Sequence, residues 1–226
     1  GAAKFGTPLL VEYGTECNGD WFQWNGRWNG ADTSGDFGDP SKPDGPERFV
    51  AAYRHIVDTI RSEGATNIQW VFHVDANDNP TNEWNRLENY YPGADVVDWV
   101  GVSAYGPQKP TDENARSFRE MIDRVYPRLC AVAPGKPLLV LEFGCSAGSK
   151  AADPAKWAGA ALEDIFSNRW SEIRGFSWWN ERWQNDDNPM NDTTMRVQDL
   201  PELADVFRTV LSVNKGKVQA SPVMGR

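Results

Sequence analysis

Short apolar runs, each closed by polar or aromatic residues, alternate five times with stretches of helical periodicity, and this alternation limits the fold most. Residues 8–17, 67–76, 96–105, 137–145 and 173–183 read as strands. Residues 46–64, 112–133, 154–170 and 200–213 read as helices, and 82–91 as a short one. Pro46 falls in the first turn of its helix and Gly64 at its end, as start and stop signals should. The strands are rich in Val, Leu and Trp, which suits strands covered on both faces. Repeated strand–helix units imply a parallel sheet, closed as a (β/α) barrel or open and doubly wound. Neither GxGxxG nor GxxxxGK[ST] follows the first strand, which weakens the nucleotide-binding version. At 226 residues with no long linker, the chain reads as one domain over 1–226.

The strand ends carry the chemistry. They read Thr15-Glu16-Cys17-Asn18, His73-Val74-Asp75, Ser103-Ala104-Tyr105, Glu142-Phe143-Gly144 and Trp178-Trp179-Asn180-Glu181. In a βα barrel the carboxyl ends of the strands hold the active site. Glu16 and Glu142 interrupt apolar strands, and an ionised carboxylate there must be paired or shift its pKa. A structural ion pair with Arg or Lys explains one such residue more easily than two at equivalent strand ends. Glycosidases need such a pair: one acid protonates the leaving oxygen, and the other carboxylate attacks the sugar or activates water. Eleven tryptophans point the same way, because flat aromatic faces are platforms for sugar rings. Trp24 and Trp28 can form outer subsites or pack a loop. Trp178 and Trp179 are adjacent, so at most one of them stacks on sugar. Asn18 and His73 can each contact substrate or satisfy the protein itself. Glu181 is a third carboxylate, more simply paired with a base such as Arg182.

Other classes are disfavoured. A net charge of −9 repels nucleic acid and anionic membrane. No apolar run approaches the roughly 20 residues that cross a bilayer. With His55 and His73 the only histidines, a histidine-rich metal site is not expected, and no cofactor is implied. Asp32, Asp36 and Asp39 do not follow the EF-hand spacing and read as a solvated loop. Cys17, Cys130 and Cys145 read as free thiols or at most one bridge.

The run Glu16-Cys17-Asn18-Gly19-Asp20-Trp21-Phe22-Gln23-Trp24 resembles the acid/base segment of glycoside hydrolase family 26, which reads Glu-x-Asn-Gly followed by aromatics. Leu141-Glu142-Phe143-Gly144 resembles that family's nucleophile strand. Tyr90-Tyr91-Pro92-Gly93 with Val97-Asp98-Trp99-Val100-Gly101-Val102 resembles the segment leading to its active-site tyrosine, here Tyr105. The resemblance spans residues 8 to about 183. It implies a (β/α)8 TIM barrel, retention of configuration, no metal in the chemistry and, most often, β-mannanase activity. It makes Glu16 the acid/base, Glu142 the nucleophile, Tyr105 the orienter of Glu142, and Trp21 a wall of the subsite at the cleaved bond. The family commonly has His just before the acid/base and Arg three residues before that His. Here those positions hold Thr15 and Glu12.

The expectation is therefore a secreted retaining endo-β-glycanase acting on a polysaccharide such as β-1,4-mannan. Alternatives are a β-1,3-1,4-glucanase, a β-1,3-xylanase, or a non-catalytic carbohydrate-binding barrel. Retention requires carboxyl groups about 5–5.5 Å apart. The motif order implies that the five readable strands are strands four to eight, with the first three βα units absent and supplied by another segment or chain.

Overall fold

The computed structural model describes residues 1–218. After a single helical turn, α1 (Ala2–Phe5), come β1 (Leu9–Glu12), α2 (Asp44–Ser62), β2 (Ile68–Asp75), β3 (Trp99–Tyr105), α3 (Phe118–Val132), β4 (Leu138–Gly144), α4 (Pro154–Phe166) and β5 (Ile173–Trp178). A two-residue ribbon, β6 (Arg182–Trp183) with β7 (Thr193–Thr194), precedes α5 (Pro201–Val213). The five long strands form one sheet in sequence order, β1-β2-β3-β4-β5. The pairs β1–β2 and β2–β3 are parallel. β4 starts beside the start of β3, through Val100 N to Pro137 O, and ends beside its end, through Gly106 N to Gly144 O. β5 runs along β4 in the same sense, with Leu138 N bonded to Glu172 O and Trp179 N to Phe143 O. The five expected strand–helix units are thus present, except that β2 is followed by two 3-10 turns, Glu83–Asn85 and Leu87–Tyr90.

The chain divides into two compact units. The first holds residues 1–104, 121–142 and 172–177, and so nearly all of the sheet. One sheet face carries Trp70, which meets Tyr53 of α2, and Tyr13, just past β1, meets Phe49 and Tyr53. Phe49, Tyr53 and Val57 recur every four residues along α2, which gives the helix its buried stripe. Asp44 and Glu47 in the first turn of α2 suit the positive end of its dipole, and Gly64 (φ 80°) follows its end. The opposite sheet face carries Glu12, His73 and Ser103, which hydrogen-bond one another, together with Gly101. A Cβ on Gly101 would come within 2.3 Å of Leu141, so only glycine lets β4 pack this closely.

The second unit holds residues 105–120 and 143–171 and, among the described residues, 178–218. Its core is aromatic: Phe118, Phe143, Trp157, Trp170, Trp178 and Phe207. The start of α3 is closed by a capping box, in which Ser117 Oγ accepts from Glu120 N and the Glu120 carboxylate accepts from Ser117 N. That box explains why the expected helix over 112–133 begins only at Phe118.

Two strand boundaries also need correction. The strand expected over 8–17 ends at Glu12, and the one expected over 173–183 ends at Trp178, with Arg182–Trp183 turned into a separate ribbon. Cys17, Cys130 and Cys145 are all free thiols.

Candidate active site

Glu16 sits on a turn that the sequence pattern did not show. After β1 the backbone turns at Gly14 (φ 67°) and again at Glu16 (φ 47°). Left-handed backbone is unfavourable for a residue with a side chain and persists only where the surroundings impose it. Here Cys17 N donates to His73 O (3.2 Å) and Gly19 N to Glu16 O (2.8 Å). The turn leaves the Glu16 residue 8% exposed. Trp21 Nε1 donates to Glu16 Oε2 at 2.7 Å. Gly19 lies against the Trp21 ring, where a Cβ would stand 2.2 Å from it. The indole can therefore lie flat on the backbone, and 48% of it remains exposed.

His73 and Asp75, two apart on β2, point to the same side as Glu16. His73 Nδ1 lies 2.5 Å from Glu12 Oε2 and 2.7 Å from Thr15 Oγ1, and Nε2 lies 2.8 Å from Ser103 Oγ. Burial disfavours the imidazolium, but the hydrogen bond and charge of Glu12, with the charges of Glu142 and Glu16, outweigh it and raise the pKa. Glu12 responds in the opposite sense: burial opposes its ionisation, yet the His73 contact holds its pKa below the usual value. Asp75 Oδ1 accepts from Asn77 N (2.8 Å) and Nδ2 (3.1 Å). Burial, then the negative Glu16, push Asp75 up to about 7 against those hydrogen bonds and the nearby His73.

Glu142 is half-buried in β4, and its charge reaches His73. Glu16 and Glu142 thus act on one imidazole within the first unit. Asn18 is wholly buried: its Oδ1 accepts from Asp75 N, and its Nδ2 faces Asp75 O, Asn77 O and Asp78 Oδ1. Its amide is occupied by protein. Both His73 nitrogens are likewise engaged. Trp24 stacks on Phe22 at 4.4 Å and donates to Thr15 O. Trp28 is exposed under the Arg27 guanidinium.

In the second unit, Trp178 donates to Met195 O (2.7 Å) and packs against Phe143, Trp157 and Phe207. Trp179 is exposed. Tyr105 is half-buried, with its ring beside Gly144. Of the adjacent tryptophans, Trp179 is the exposed one and Trp178 is half-buried. Sequence reasoning passed over Glu12, Thr15, Asp75 and Ser103 as site residues. The signal for Asp75 was its spacing of two from His73, which puts both on one strand face.

The fold and site define the class: a parallel βα protein that gathers carboxyl groups and an exposed indole at the carboxyl ends of its strands. Comparison with known proteins agrees. Residues 3–180 match the model for glycosyl hydrolase family 26. Endoglucanase H of Acetivibrio thermocellus is 28% identical over 211 residues, 92% of this chain and 20% of that protein. The β-1,3-xylanase TXYA of a Vibrio species is 33% identical over 106 residues, 46% of this chain and 18% of that one. Among solved structures, the Bacillus subtilis mannanase BCman is 25% identical, with a TM-score of 0.52, over 79% of this chain and 44% of that one. A Cellulomonas fimi endo-β-1,4-mannanase shares the fold at 19% identity and a TM-score of 0.58, over 90% of this chain and 40% of that one. The chain belongs to glycosyl hydrolase family 26. It spans less than half the length of these relatives and solved structures.

Proposed function

We propose that this chain carries the catalytic centre of a retaining endo-β-glycanase, with Glu16 as acid/base and Glu142 as nucleophile. The observation that carries the reading is the pairing of Glu16, hydrogen-bonded by an exposed indole, with Glu142 around one buried imidazole. Glu16 protonates the glycosidic oxygen as Glu142 bonds to the anomeric carbon. Water, deprotonated by Glu16, then releases the sugar. Trp21 offers a stacking face to a sugar ring in the first unit, and Trp179 offers one in the second. Asn18 and Trp178 are assigned to support, since protein occupies their polar groups. β-1,4-Mannan is the substrate proposed first. A mixed-linkage β-glucan or β-1,3-xylan is the second reading, favoured by the relatives named endoglucanase and β-1,3-xylanase. A polymer of that size is met outside the cytoplasm, so secretion forms part of the proposal.

The fold belongs to the same proposal. β1 and β5 stand at the two margins of the sheet, and closure as a (β/α)8 barrel takes three further βα units.

Reducing-sugar release from mannan, lichenan and β-1,3-xylan tests the activity. Glu142→Ala is expected to abolish release, and azide to restore cleavage as a glycosyl azide of inverted configuration. Binding of these glycans without release would favour a non-catalytic barrel. Undiminished turnover in Glu142→Ala would end the assignment.

A further inference from the structure

The groups around His73 are more than a packing detail. Glu12, His73 and Ser103 stand in the order carboxylate, imidazole, hydroxyl, which is the order of an acyl-transfer triad. Ser103 is wholly buried, however, so its hydroxyl cannot meet an ester carbonyl. The arrangement must serve something other than nucleophilic attack by serine.

The charges show what that is. β1 and the turn after it present Glu12, Thr15 and Glu16 to this side, β2 adds Asp75, β3 adds Ser103 and β4 adds Glu142. Four carboxyl groups thus share one small region. Like charges favour protonation, and a protonated Glu142 could not attack a sugar. The imidazole stands where the fields of Glu12, Glu16 and Glu142 converge. An ionised Glu12 only accepts hydrogen bonds, so Nδ1 must carry a proton toward it. The His73 side chain has no exposed surface, so water cannot replace these partners. Thr15 and Glu12, at the two positions where this sequence departs from the family pattern, both contact this one nitrogen.

We propose that His73 is a positioning residue: an imidazolium, held by Glu12, Thr15 and Ser103, whose positive charge keeps Glu142 ionised among its acidic neighbours. The proposal rests on the glycosidase reading for its meaning, but its physical content is a statement about charge. Glu12 is the counter-ion that fixes the imidazolium, and Ser103 Oγ accepts the hydrogen bond from its Nε2–H. Asp75 beside Glu16 takes up a proton more readily than an isolated carboxyl group and adds less negative charge to the site.

Nuclear magnetic resonance on the whole chain tests this without any substrate. Only two histidines are present, and exposed His55 on α2 serves as internal reference. With 15N-labelled histidine, His73 is expected to show two protonated nitrogens at pH 7. A neutral His73 at pH 7 overturns the proposal. In Glu12→Gln the His73 midpoint is expected to fall by about one pH unit or more. With 13C-labelled glutamate, the Glu142 carboxyl midpoint is expected to rise by about one unit in His73→Gln. An unmoved Glu142 midpoint also overturns it. Should His73→Gln fail to fold, the wild-type and Glu12→Gln spectra still decide the charge. On an active chain, the acid limb of kcat/KM moves upward in His73→Gln with KM little changed; a merely structural histidine would lower activity without moving that limb. Absence of glycosidase activity would remove the proposed function and leave the spectroscopic result standing.

Discussion

Trp21 is coupled to Glu16 twice, by the Nε1 hydrogen bond and by the turn that carries both. Trp21→Ala is expected to lower kcat/KM at least ~10-fold, the worth of a charge-assisted hydrogen bond, with a further loss from the missing sugar platform. Gly19→Ala tests the same geometry from below. Its methyl would occupy the indole's place, so activity should fall in step with Trp21→Ala while the circular dichroism spectrum stays native. Unchanged kinetics in both would put Trp21 outside the site. Asp75 makes a prediction about stability. Its pKa is raised from 3.8 to about 7, so between those values the folded chain holds a proton that the unfolded chain has lost. Stability therefore falls as pH rises through that window, by up to about 4 kcal/mol. Asp75→Asn should flatten this slope, raising the melting temperature at pH 8 more than at pH 4. A variant whose melting curves shift equally at both pH values would contradict the assignment.

At the scale of elements, existence was readable and boundaries were not. The apolar runs at 68–75, 99–105 and 138–144 became strands because their alternate residues serve two buried faces. β1 stopped at Glu12 because Gly14 and Glu16 leave the extended region. A single glutamate at positive φ has no propensity signal, since the contacts that impose it come from β2. The loop after β1 and the loop after β2 are tied together by Asn18, whose amide spans Asp75, Asn77 and Asp78. Asn18→Ala strands buried backbone groups and is expected to cost about 1–3 kcal/mol of stability, measured by urea unfolding. A variant of native stability with a raised KM would make Asn18 a sugar ligand instead.

For the whole molecule, the sheet margins matter most. Leu10 of β1 lies on the same sheet face as Glu12 and is 52% exposed, an unusual place for a leucine. Unpaired strand margins and exposed apolar side chains invite association. The isolated 226-residue chain is expected to bind an apolar dye such as ANS or to self-associate in sedimentation. A segment supplying three βα units should suppress both and raise glycanase activity. A monomer indifferent to dye, with full activity alone, would refute the need for further units.

The five strand–helix units, the parallel sheet and the gathering of polar residues at the strand ends were readable in the sequence alone, and Glu16 and Glu142 stood out there as candidates. These follow from local periodicity and, for Glu142, from a carboxylate that is costly inside an apolar strand, whereas Glu16 lies on the turn after β1. The occupation of Asn18 and His73 by protein, the withdrawal of Trp178 into an aromatic core, and the enlistment of Glu12, Thr15 and Ser103 around one imidazole were decided only by the tertiary structure. Those outcomes depend on partners 17 to 61 residues away, brought close by the pairing and packing of elements, and no local pattern encodes which face meets which.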